Sequence, residues 1–97
     1  MVEHIVLFKW TAEATPQQID TAMTELRALQ GQIDGIIHLT CGADFSGRAH
    51  GFTHALIVRF RDRAALEAYG PHPAHQSVVQ NRINPIRADV LACDYEI

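Results

Sequence analysis

Large apolar side chains alternate along residues 2–10. Val2, His4, Val6, Phe8 and Trp10 fall on one side; Glu3, Ile5, Leu7 and Lys9 fall on the other. A period of two is that of a β-strand, and both sides carry apolar bulk, which a strand with one face in water does not require. The next pattern is helical. Thr15 can cap, Pro16 suits the first helical position, and Gln18 stands where a capping box needs it. Ile19, Ala22, Met23, Leu26, Leu29 and Ile33 follow at helical spacing, with Gly31 or Gly35 as the stop. Residues 36–44 read as a second strand. A polar turn over 46–51 leads into a third, from Phe52 to Arg61, with His54, Leu56, Val58 and Phe60 on one face and Ala55 and Ile57 on the other. Asp62 is placed to cap a short helix bearing Ala65, Leu66 and Tyr69. Gly70-Pro71-His72-Pro73 breaks that helix, because neither proline has an amide hydrogen to give. A second helical piece from about Ala74 carries Val78, Val79 and Ile83 and stops before Pro85; residues 88–96 alternate as a last strand.

The order is β-α-β-β-α-β with a broken second helix. It predicts an α+β, ferredoxin-like split βαβ arrangement: a four-stranded antiparallel sheet with both helices on one face. Ile5, Leu7, Ala55 and Ile57 would then form an apolar patch on the other face. Such a patch marks an interface, and sheet-to-sheet packing into a homodimer is expected.

Composition narrows the classes. The chain has 97 residues, enough for one domain over 1–97 and no second core. Its formal charge of −3 offers no basic stripe for phosphates, so no nucleic-acid partner is expected. No apolar run approaches the roughly 20 residues of a membrane span, and the start MVEHIVLFKW lacks the signs of a secretory leader. The two cysteines, Cys41 and Cys93, lie in strand-like runs and read as buried free thiols, which fits a cytoplasmic protein.

Histidine is the unusual residue, with six copies. His4 and His54 sit at matching places on two strands expected to be neighbours, and Tyr69, His72 and His75 come from the helix that should cover them. Imidazole titrates near neutral pH and a phenol can donate to a developing oxyanion, so such a group suits acid–base chemistry. Each residue also has a plain reading: the strand histidines as core or edge residues, Tyr69 as packing, His72 as an exposed turn residue. A zinc site is poorly served, since Pro73 interrupts His72-Pro73-Ala74-His75 and no carboxylate stands at ligand spacing. No serine lies in a nucleophile elbow.

Five stretches together resemble one family: His4-Ile5-Val6-Leu7-Phe8-Lys9, Gly42-Ala43-Asp44, Gly51-Phe52-Thr53-His54, Tyr69-Gly70-Pro71-His72-Pro73-Ala74-His75, and Asp94-Tyr95. The chain resembles the stress-responsive α/β-barrel (Dabb) family over nearly its full length. The resemblance implies a ferredoxin-like subunit whose sheet packs on a partner's to form a dimeric α/β barrel, with a small-molecule pocket between each sheet and its own helices. It also implies that the His4 and His54 face looks at the helices. The best understood member is a plant polyketide cyclase, olivetolic acid cyclase, which closes a ring by intramolecular aldol condensation without a cofactor. By this resemblance His75 matches its general base and Tyr69 its substrate-polarising tyrosine. His4 and His54 match pocket histidines, with His72 beside them. Met23 and Leu26 stand where that enzyme has aromatic residues, and Ile86 where it has an indole, so a different substrate is implied. The leading expectation is a cofactor-independent cyclase or lyase acting on a small carbonyl compound. A non-catalytic stress or ligand-binding protein is the alternative, and a cofactor-free oxygenase a third.

Overall fold

The computed structural model describes residues 1–97. Strand β1 (Val2–Trp10) leads into helix α1 (Pro16–Ala28), which tightens into a 3₁₀ turn over Leu29–Gly31. Strands β2 (Ile36–Ala43) and β3 (His54–Phe60) follow. Helices α2 (Arg63–Tyr69) and α3 (Pro73–Val78), a π-helical turn over Val79–Ile83 and strand β4 (Arg87–Glu96) complete the chain. The four strands form one sheet in the order β2-β3-β1-β4, with every neighbouring pair antiparallel. This is the ferredoxin-like arrangement that the alternation predicts. No helix is long and apolar enough to cross a membrane.

The caps form as the sequence suggests. Thr15 accepts from the Gln18 amide while the Gln18 side chain accepts from the Thr15 amide, and the Asp62 carboxylate accepts from the Ala65 amide. Val6, Phe8, Leu56, Val58 and Phe60 turn one sheet face toward Ala22, Met23, Leu26 and Leu29 of the helical layer, and all are buried. Gln30 reaches across to the edge strand β2, donating to the Ile37 carbonyl and accepting from the Leu39 amide. Backbone groups that would otherwise invite another strand are thereby occupied.

Gly35 turns the chain from α1 into β2. Its φ of +91° lies in the left-handed region, and a Cβ there would stand 2.7 Å from the Ala65 Cβ. Gly35→Ala should therefore cost at least the roughly 1–3 kcal/mol of a strained backbone residue, visible as a lower midpoint in urea. An unchanged midpoint would show that the α1–β2 turn relaxes freely.

The opposite sheet face is open. Ile57, Leu91 and Tyr95 are exposed on it, and Ile5 and Leu7 are half-buried. Glu3 is buried there by its ion pair with Arg59 on the adjacent strand, at 2.5 Å. Cys93 lies on this face opposite Ile5 and is exposed, while Cys41 on the core face is half-buried. Within the single chain the expectation of two buried thiols is corrected for Cys93, which β4 turns onto the open face. Burial pushes the Cys41 thiol above its ordinary range.

Candidate active site

The site is built on the break between α2 and α3. In a continuous helix the Gly70 carbonyl would accept from the Ala74 amide. Instead the Ala74 amide donates to His72 Nδ1 at 3.1 Å, so His72 caps α3. The Gly70 carbonyl is left for His75 Nδ1, at 2.9 Å, and Gln76 Nε2, at 2.8 Å. A carbonyl only accepts, so His75 Nδ1 carries the hydrogen and Nε2 keeps the lone pair. Two prolines thus fix a tautomer as well as a turn.

Tyr69, the last residue of α2, is 2% exposed. Its ring lies 4.1 Å from that of His75, 5.0 Å from Phe60 and 5.9 Å from His4, centroid to centroid. Its hydroxyl is the one buried side-chain polar atom in the chain without a hydrogen-bond partner. An unsatisfied buried hydroxyl costs roughly 1–3 kcal/mol, so its persistence calls for an explanation. On β1, His4 is held through Nδ1 by the carboxylate of Asp94, its register partner on β4. A carboxylate also only accepts, which leaves Nε2 of His4 as the nitrogen free to meet a ligand.

His4, Tyr69 and His75 border one cavity of about 220 Å³. Val6, Phe8, Leu26, Leu56 and Val79 make much of its apolar wall. The π-helical turn contributes Val79 and Ile83, and its i→i+5 bond, from the Asn84 amide to the Val79 carbonyl at 2.8 Å, brings Asn84 to the same wall. Burial is the main influence holding the His75 imidazole below its ordinary range. The nearby His4 and His72 rings act in the same direction and the Gly70 hydrogen bond opposes them. Burial, with a smaller effect from Cys41, raises the Tyr69 phenol well above its ordinary range, so it stays a hydroxyl donor. A neutral imidazole and a protonated phenol bordering one mostly apolar cavity can remove a proton and stabilise the resulting oxyanion.

The other residues expected at the site lie elsewhere. His54 is opposite Phe8, not His4, whose β3 partner is Val58. Matching places counted from the start of each strand are opposite ends of an antiparallel pair, about 13 Å apart at 3.3 Å per residue. His54 instead accepts from Trp10 Nε1 at 2.9 Å, and its Nδ1 lies 3.0 Å from the Thr53 hydroxyl; burial lowers its pKa against the pull of Asp20. His72 is spent on the α3 cap. Met23 is packed in the core, and Ile86 is buried beside a separate polar groove with Thr15, Gln18 and Arg82. Of the helix-one pair only Leu26 reaches the cavity. The sequence reading missed the pairing of Asp94 with His4, and Asn84 and Arg87 on the cavity wall. Aligning β1 with β4 as antiparallel neighbours would have found the first. No group of three or more His, Cys, Asp or Glu side chains is arranged to hold a metal ion.

Known proteins share this construction. The chain is 34% identical over 96 residues to a stress-response A/B barrel domain-containing protein of Arabidopsis thaliana, covering 98% of this chain but only 36% of that one. A crystal structure described as a dimeric ferredoxin-like protein of unknown function from Thermobifida fusca superposes with a TM-score of 0.87 at 28% identity, over 99% of this chain and 90% of that one. The hydroxynitrile lyase of Passiflora edulis superposes with a TM-score of 0.89 at 24% identity, over 99% and 92%, a likeness of fold. The family model for the stress responsive A/B barrel domain matches residues 2–97. With the sheet order, the broken second helix and the Tyr69–His75 stretch, that match makes the chain a member of the stress-responsive A/B barrel (Dabb) family.

Proposed function

We propose that this protein is a cofactor-independent acid–base catalyst of the lyase or cyclase type, acting on a small carbonyl compound. The observation that carries the reading is the Tyr69 hydroxyl, buried without a hydrogen-bond partner, on a residue that borders one cavity together with His75. A substrate carbonyl oxygen placed there accepts from Tyr69. His75 Nε2 then takes a proton from the carbon next to that carbonyl, and the electron pair moves into the enolate, whose oxygen Tyr69 stabilises. The enolate carbon can attack a second carbonyl, as in ring closure; the same steps in reverse cleave a carbon–carbon bond. His4, steadied by Asp94, is placed to exchange a proton with the second oxygen. The cavity is smaller than the roughly 300–1,000 Å³ that drug-sized ligands occupy, so the substrate is small. That the fold hosts a lyase in Passiflora edulis is consistent with this reading.

Exchange of α-hydrogens tests it without knowledge of the natural substrate. Pentan-2-one in D₂O should gain deuterium faster with wild type than with buffer. Tyr69→Phe, which removes only the hydroxyl, should slow that gain by about tenfold or more while the far-UV spectrum stays native. No acceleration by wild type would overturn the catalytic reading. Ligand binding without exchange would favour a binding protein.

We also infer a homodimer joined sheet to sheet. The open face carrying Ile5, Leu7, Ile57, Leu91 and Tyr95 supports it, as does the dimeric description of the Thermobifida fusca relative. Each protomer then keeps its own cavity on the helix side.

A further inference from the structure

The catalytic cavity is polar at both ends and apolar between. Along β1 and β4 its wall runs from His4, past Val6 and Ala92, to Phe8 and Val90, and then to Arg87 and Asn84. His4 to Phe8 alone spans about 13 Å of strand, and Arg87 pairs with Trp10 beyond it. Tyr69 and His75 stand near the His4 end. The opposite end carries a guanidinium and an amide that the reaction above does not use.

Arg87 differs from most arginines in this chain. Arg59, Arg61, Arg63 and Arg82 are each ion-paired, and Arg27 donates to the Cys41 carbonyl. Of the seven arginines only Arg48, in the exposed β2–β3 loop, and Arg87 lack such a partner, and only Arg87 borders this cavity. The nearest carboxylate along its strand, Asp89, stands opposite Lys9 in the β1–β4 register. The Asn84 side chain beside Arg87 is likewise exposed and without a hydrogen bond. A chain of net charge −3 repels anions at large, so a bare guanidinium at the mouth of an apolar cavity acts as a local exception. Guanidinium binds carboxylate and phosphate through paired, charge-assisted hydrogen bonds.

We propose that Arg87, assisted by Asn84, selects substrates that carry an anionic terminus, so that the ligand is a short chain with a carbonyl at the Tyr69–His75 end and a carboxylate or phosphate at the Arg87 end. The proposal rests on the reading of the cavity as a carbonyl site and adds the class of substrate it takes. The anion anchors the chain at the mouth, and the apolar wall excludes water from the middle. The reacting carbon is thereby held at a fixed distance from the anchor.

Binding of three probes tests this separately from catalysis. 7-Oxooctanoate, its neutral methyl ester and 6-oxoheptyl phosphate would be titrated by calorimetry into wild type and Arg87→Gln, an exposed substitution that keeps the side chain polar. At least one anion should bind wild type about tenfold or more tighter than the ester, and Arg87→Gln should abolish that preference by weakening the anion far more than the ester. Preference for the carboxylate alone, the phosphate alone or both supports the proposal and identifies the terminus. Equal affinity for all three, no binding by any, or a preference that survives Arg87→Gln overturns it. The carbonyl reading fails by a different sign: a bound ester whose α-hydrogens do not exchange in D₂O.

Discussion

His75→Ala should lower α-hydrogen exchange of a ketone by roughly 10²–10⁴-fold, the usual contribution of a positioned general base, while the protein stays folded. The fold should survive because the ring is half-buried and its one hydrogen bond goes to a carbonyl that Gln76 also serves. The pH profile adds a second signature. Burial holds the imidazole below its ordinary range, so the basic form persists into mild acid. Activity should fall only below about pH 6.5, the unperturbed histidine value. Stability shares the same sign. His54 and His75 are both lowered in the folded state, so the unfolded chain binds more protons as pH drops through that value, and stability declines on the acid side. Exchange kinetics in D₂O across pH 5–8 would check the first claim and urea titrations the second. An activity limb above pH 7, or a variant that exchanges as fast as wild type, would remove His75 from the role of base.

Ile57→Asp should break the dimer. Ile57 lies in the middle of the open face, with Ile5 on one neighbouring strand and Thr40 on the other, and is 43% exposed in the single chain. A standard interface buries about 1,600 Å² in total, and an unpaired charge buried in it costs about 3–5 kcal/mol, which is roughly 10²–10³-fold or more in dissociation constant. The one acidic residue already buried on that face, Glu3, is matched by Arg59, and an aspartate at 57 would add a second carboxylate beside the pair. Sedimentation velocity at micromolar concentration should show a dimer for wild type and a monomer for the variant. Cys93, on the same face, gives an independent readout. It should react slowly with a thiol reagent in wild type and quickly in Ile57→Asp. A monomeric wild type would contradict the sheet-to-sheet dimer.

Most of the fold was legible because it is written in short-range patterns. Alternation marks β1 and β3, the Thr15–Gln18 box starts α1, and Pro71 and Pro73 end α2. Each depends on residues within a few positions of one another. The site was legible only in part, because it depends on register. His4 and His54 look equivalent when each strand is read from its beginning, yet antiparallel pairing sends them to opposite ends of the sheet. Asp94 looks like an ordinary outward residue until β1 and β4 are aligned, when it falls on His4. Met23 and Leu26 share a helical stripe, but only Leu26 leans over the cavity while Met23 packs beneath the sheet. Ile86 follows the π-helical turn, whose extra residue shifts everything after Val79 around the helix, and it ends up on a different groove. Arg87 gives no local signal, since its meaning comes from the absence of a partner.

The central claim is that His75 presents a neutral, unprotonated Nε2 to the cavity beside the Tyr69 hydroxyl. Long-range ¹H–¹⁵N correlation spectra of the histidine rings test it most directly, recorded on the wild-type protein from pH 5 to 8. At pH 7 the His75 ring should show a protonated Nδ1 and a bare Nε2, with protonation only below the ordinary imidazole range and with the Nε2 resonance perturbed in Tyr69→Phe. A His75 ring that is charged at pH 7, or that carries its hydrogen on Nε2, would contradict the account.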